Sequence, residues 1–158
     1  VDGNDIVGFV PQALESWYPG CSHELAHGRG PDVGWVLEAE GAVAVVRAVG
    51  TSRPFVWLRA GIAHTIPRAD ALAWHVASKN KDLMAGRVYA TSSDDLAMVV
   101  FDEAILGPAI SYQHQPSIQD VRTRLDIGLE CAAQWSAEVR ETFGGQAFTP
   151  ADWGKLLF

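Results

Sequence analysis

The chain has 158 residues, 48% of them hydrophobic, which is enough apolar side chain for one domain with a proper core. Its 19 acidic residues against 12 basic ones give a net charge of -7, which repels phosphate backbones and anionic headgroups and argues against nucleic acid or a membrane surface as partner. No apolar run reaches bilayer length, no basic-then-apolar leader opens the chain, and Cys21 and Cys131 alone cannot build a disulfide framework or a four-cysteine zinc site, so a reduced, cytoplasmic protein is expected.

Ile6, Phe9, Val10, Leu14 and Trp17 recur at helical steps and predict a first helix over Asp5–Trp17, ended by Pro19-Gly20, with Pro11 set to kink it or delay its start. The polar, glycine-rich stretch from Cys21 to Pro31 reads as a loop. Alternation over Val33–Glu40, the valine-rich run Val43–Val49 and the aromatic and aliphatic alternation of Phe55–Ile62 predict three strands. Their connections are too short for a parallel crossover, so they are expected to be antiparallel. Pro67 stands where a first helical position would be, and Ala69, Leu72, Ala73 and Val76 carry a second helix to Asn80. Gly86–Thr91 and Leu96–Asp102 flank the polar tip Ser92-Ser93-Asp94-Asp95 as a hairpin. Ser117 and Asp120, behind Pro116, resemble a capping box. From there Ile118, Val121, Leu125, Leu129, Ala132, Val139 and Phe143 mark a long last helix that ends at Gly144-Gly145. Gly128 inside it costs about 1 kcal/mol against alanine, which so long a buried stripe offsets. Thr149-Pro150-Ala151-Asp152 then starts a helical turn carrying Trp153, Leu156, Leu157 and Phe158.

These elements predict an α+β domain over residues 1–145, a five-stranded antiparallel sheet with helices in the order α-β-β-β-α-β-β-α, followed by an apolar tail over 146–158. The stretch Asn80-Lys81-Asp82-Leu83-Met84-Ala85-Gly86-Arg87-Val88-Tyr89 is similar to the passage from second helix to fourth strand in YbjN-like bacterial proteins. There an asparagine closes the helix, a leucine packs under the turn, a glycine opens the strand and an aromatic follows. Together with the element order over Val33 to Phe143, it resembles the type III secretion chaperone fold of the CesT type. That resemblance implies a small, acidic homodimer that binds peptides or stabilises client proteins. Asn80 can close the helix by a left-handed or hydrogen-bonded cap, Leu83 can plug the corner, and Gly86 permits close backbone approach.

Chemistry-bearing clusters are sparse. Cys21, His23 and His27 lie in one loop but offer only three ligands at a spacing of no standard zinc site, so no metal or other cofactor is expected. Cys131 falls on the core side of the last helix, where a thiol is inert packing, and His64 and His75 read as structural or surface residues. Asp94, Asp95, Asp102 and Glu103 serve a hairpin tip and a strand end. Gly28-Arg29-Gly30 and Gly144-Gly145 lack the context of a phosphate loop. No catalytic residues are assigned.

Binding is a better use of the sequence. Val56, Leu58, Ala60 and Ile62 form a core-facing row, which turns Phe55, Trp57 and Arg59 to the other face. Trp35, Arg87 and Tyr89 share that parity if register permits, giving a recognition patch of Trp35, Phe55, Trp57, Arg59, Arg87 and Tyr89, unless the second helix or the tail covers it. Trp153, Leu156, Leu157 and Phe158 must dock on their own sheet, cross to a second subunit or begin a further domain, with docking in a dimer favoured. The expected function is that of a chaperone-like or adaptor protein binding a client protein or peptide. The alternatives are an immunity-type or sensory regulator that blocks one folded partner, and a small enzyme or ligand-binding domain that uses the loop thiol and histidines.

Overall fold

The computed structural model describes residues 3–25, 32–50, 55–93, 95–106 and 118–157. Within them the chain runs α1 (Gly3–Trp17), β1 (Ser22–Glu24), β2 (Asp32–Ala39), β3 (Ala42–Val49), β4 (Phe55–Pro67), α2 (Asp70–Lys79), a 3-10 turn (Asn80–Asp82), β5 (Arg87–Ser93), β6 (Leu96–Leu106), α3 (Ile118–Phe143) and a C-terminal 3-10 segment (Pro150–Leu157). The architecture is α+β with an antiparallel sheet, as the patterning predicts, but the described sheet has six strands in the order β1-β2-β3-β4-β6-β5. The extra strand lies in the stretch read as loop: Ser22, His23 and Glu24 pair with Leu37, Val36 and Trp35. Three polar residues carry no hydrophobic alternation, and only the edge of β2 makes them a strand.

Two other boundaries move for physical reasons. Pro67 does not open α2; it is the last residue of β4 and faces Leu96. Proline is tolerated there because a strand end does not need its missing amide. β6 continues past Asp102 to Leu106, so Asp102 and Glu103 sit inside the strand instead of ending it. The expected cap at Ser117 and the hairpin residue Asp94 lie outside the described residues. The β2–β3 turn uses Glu40 (φ 54°) and Gly41 (φ 76°), the two positive φ values of a type I′ hairpin.

All three helices cover one face of the sheet. Leu14 of α1, Leu72 and Val76 of α2, and Leu125, Leu129, Ala132 and Val139 of α3 join Leu37, Val46, Leu58 and Phe101 in the main core. Each such fully buried side chain is worth about 1.5–3 kcal/mol, enough to hold a helix that includes glycine. Gly128 is there for space: a Cβ on it would lie 2.5 Å from Leu58 and 2.8 Å from the Phe101 ring. Gly86, at φ +69°, presses on the same ring, 2.2 Å from where its Cβ would be, so the close approach expected of it is real. Asn80 closes α2 by the hydrogen-bonded cap and not the left-handed one: its backbone is right-handed (φ -66°) and its amide donates to the Ala77 carbonyl. Its side chain also clasps β5, donating to the Val88 carbonyl at 2.8 Å and accepting the Val88 amide at 2.7 Å. Leu83 packs against the main core at that corner.

Candidate functional site

The face turned away from the helices carries the candidate site. Register fixes its rows: Gly34 faces Arg47 and Arg47 faces Trp57, while Val36 faces Val45, Val45 faces Arg59, Arg59 faces Asp102 and Asp102 faces Arg87. One half of this face is covered by the chain's own tail. Leu156 is fully buried there with Val36, Val43, Val45 and Val100, and Phe148, Trp153 and Leu157 pack around it. Phe148 sits on Gly61, where a Cβ would come within 2.3 Å of its ring. Of the placements open to the tail, the one the described residues take is on their own sheet, where Val36, Val45 and Val100 offer an aliphatic bed. Phe158 lies outside the described residues.

The other half is less covered and holds five of the six patch residues. Phe55 is half-buried and Arg87 exposed, whereas Trp57 and Tyr89 pack against the Leu156 cluster and Arg59, its side chain 12% exposed, reaches the Leu156 carbonyl at 3.5 Å. The Arg59 guanidinium lies 4.4 Å from the Trp57 ring centroid and 5.7 Å from that of Tyr89, with Arg87 5.3 Å from Tyr89 and Arg47 5.8 Å from Trp57. Asp102, only 6% exposed, accepts from Arg59 Nε and Arg87 Nη2, each at 3.2 Å. One buried carboxylate thus fixes two arginines in cation–π geometry, which removes most of the entropy they would lose on engaging a partner. Burial first, then the Asp102 charge, pushes the Tyr89 hydroxyl above its ordinary pKa, so it remains a neutral donor. Arg47, Val49, Phe55 and Trp57 line a shallow recess of about 260 Å³ at the end of this surface.

Trp35 does not belong to the patch. It is 4% exposed and lies under the helices, because its partner Val46 pairs in turn with Leu58, a residue of the main core. Parity counted within β2 could not reveal this; it needed the register of β2 on β3. Two members were missed. Arg47 was legible from the alternation Val43, Val45, Arg47, while Asp102 carried no signal without the pairing of β4 with β6.

The remaining sequence candidates separate cleanly. Cys21 contacts the Pro19 carbonyl at 3.5 Å, His27 lies outside the described residues, and no group of three or more metal-binding side chains occurs among those described. The Cys131 thiol, partly buried against the core, is pushed up first by desolvation and then by Glu130, which keeps it protonated at neutral pH. His75 approaches Glu138 at 3.1 Å and stacks edge-on to Phe143, joining α2 to α3. Glu103 pairs with Arg124 on the helix side. His64 is 4% exposed and borders a second pocket of about 630 Å³ between β4, the β5–β6 hairpin and the tail. No described helix is long and apolar enough to cross a membrane. No family model matches this chain, and no curated protein matches it.

Proposed function

We propose that this protein is a binding module of the chaperone or adaptor kind, which grips a client polypeptide without catalysis on the less covered half of the sheet's reverse face. The observation that carries this reading is the fixed ladder of Arg47, Trp57, Arg59, Tyr89 and Arg87, partly exposed on a rigid sheet. Tryptophan, tyrosine and arginine dominate interface hot spots, and each aromatic offers about 150–250 Å² of contact at low entropic cost. The Arg87 guanidinium, 69% exposed although Asp102 holds one of its nitrogens, favours a client segment bearing a carboxylate beside apolar side chains. A homodimer with one such surface per subunit suits the chaperone-like reading.

The test is co-purification from the native host, followed by titration of the captured segments against Trp57→Ala. Trp57 is half-buried, so the variant should melt within a few degrees of the parent while losing about 30-fold in affinity, a hot-spot loss near 2 kcal/mol. Capture of many unrelated, unfolded segments supports a chaperone. A single stoichiometric folded partner supports the blocking regulator instead. Unchanged affinity in Trp57→Ala removes the surface from consideration.

A further inference from the structure

The pocket beside His64 combines three features that ordinary packing does not need. Thr65, inside the second irregularity of β4, has φ +54°, a conformation that a β-branched side chain pays to adopt. His64 is almost wholly buried, yet its Nε2 has no aligned hydrogen bond. Both residues line the 630 Å³ pocket, together with Ser92, Ser93, Met98 and Lys155. Strain, a buried imidazole nitrogen without an aligned partner and a cavity coincide at one place.

The contacts order these groups into a chain. Asp152 Oδ2 lies 3.5 Å from His64 Nε2, and His64 Nδ1 lies 2.8 Å from Thr65 Oγ1. Asp152 is itself anchored: the Thr149 amide donates to Oδ2 at 2.9 Å, the Thr149 hydroxyl at 2.6 Å, and Lys155 pairs with Oδ1. These donors, Lys155 first, hold the carboxyl well below its ordinary range, so it is charged at neutral pH. A bare Nε2 lone pair facing a carboxylate would be repelled, so the proton belongs on Nε2 and the lone pair on Nδ1. The Thr65 hydroxyl then donates to Nδ1, as a nucleophile donates to its base. The His64 ring is held from the side by Phe148, edge-on at 4.8 Å, and its backbone is clamped to Gln146 in both directions.

We propose that Thr65 is a nucleophile for acyl transfer from small carboxylic esters, with His64 as its base and Asp152 as a positioning residue. Thr65 Oγ1 attacks the ester carbonyl carbon and its proton passes to His64 Nδ1. The bond from that carbon to the leaving alcohol breaks, and His64 returns the proton to the alcohol oxygen. Water, deprotonated by the same nitrogen, then hydrolyses the threonyl ester and regenerates the hydroxyl. Lys155 brings positive charge to the same pocket for the carbonyl oxygen as it becomes anionic. The exposed, strained position of Thr65 suits this role, since a nucleophile set on a sharp backbone turn stands clear of its strand. The site is separate from the client surface: Thr65 is eight positions beyond Trp57 on β4, roughly 25 Å at a strand rise of about 3.3 Å per residue.

The experiment treats the full chain with p-nitrophenyl acetate, follows nitrophenolate release and maps acetyl groups by peptide mass. The expected result is acetylation at Thr65, retained in Thr65→Ser, lost in Thr65→Ala, and slowed on the order of a hundredfold in His64→Gln. Nitrogen-15 shifts of the His64 ring should report the Nε2–H tautomer in the parent and a mixture in Asp152→Asn, which a merely structural Asp152 would not alter. Thr65 is exposed, so Thr65→Ala keeps the test sound should His64→Gln unfold. Acetylation confined to lysines, a parent-like release rate in Thr65→Ala, or an Nδ1–H tautomer in the parent would each overturn the proposal.

Discussion

Gly128→Ala sets two effects of known size against each other. Alanine in a helix interior is favoured over glycine by about 1 kcal/mol, so on an exposed face the change would stabilise α3. Here the new methyl would sit 2.5 Å from Leu58 Cδ2 and 2.8–2.9 Å from two Phe101 ring carbons. Leu58 can rotate a terminal methyl away, but the ring has little room to retreat, because its Cζ and Cε2 carbons already lie so close to the Gly86 backbone that a Cβ there would come within 2.2 Å. Overpacking of this kind costs about 1–3 kcal/mol, so the net change is a loss of up to about 2 kcal/mol. For a chain of this size that lowers the melting temperature by a few degrees, about 2–4 °C per kcal/mol. Thermal and urea unfolding of the parent, Gly128→Ala and Gly128→Ala with Phe101→Leu would measure it, the smaller side chain restoring part of the loss. An increase of about 1 kcal/mol in Gly128→Ala alone would refute the argument, since it would mean that the helix does not bear on Phe101.

Leu156→Ala should cost about 2–5 kcal/mol if the tail is integral to the fold, and loss of amide protection over 150–157 before global unfolding would show it by hydrogen exchange. Asn80→Ala leaves the Val88 amide and carbonyl unpaired at a sheet edge, a cost of about 1–3 kcal/mol, and light scattering should reveal new self-association through β5. Acid should loosen the tail before the core. The folded pKa of Asp152 lies below its ordinary 3.8, so its contribution is complete above that pH and is lost as pH falls through the lower folded value. Exchange rates of tail amides measured from pH 6 to 3, corrected for intrinsic pH dependence, should therefore rise only near the acid end, and should do so less in Asp152→Asn.

The helices were legible in the sequence because each buries one stripe at helical spacing, and the stripe of α3 from Val121 to Val139 is the clearest case. The strands were legible wherever the two faces differ in side-chain type, as where Phe55, Trp57 and Arg59 alternate with aliphatic Val56, Leu58 and Ala60. β1 was not, since Ser22–Glu24 is polar throughout and is defined only by its partner. The second half of β4 was obscured for the opposite reason: Gly61, Ile62, Ala63 and His64 are all buried, and bulges at Ala63 and Ile66 destroy the alternation. The site divides in the same way. Trp57 and Arg59 share a strand, so parity places them together, but Trp35 depends on cross-strand register and Asp102 on a crossover that no local pattern records. The Thr65 backbone is invisible in the sequence, because nothing about a threonine announces a positive φ.

The strand order has a consequence for how this sheet is made. β4 pairs with β6, not with the strand that follows it, and the partnership runs from Phe55 with Leu106 to Pro67 with Leu96. During synthesis β2, β3 and β4 can zip as a meander as soon as they emerge. The far edge of β4 then waits, unpaired, until α2 and the whole β5–β6 hairpin have been made. An interior strand of the sheet, β6, is therefore among the last to be installed, and this late, long-range closure lengthens the interval in which a nascent chain is open to wrong edge pairing.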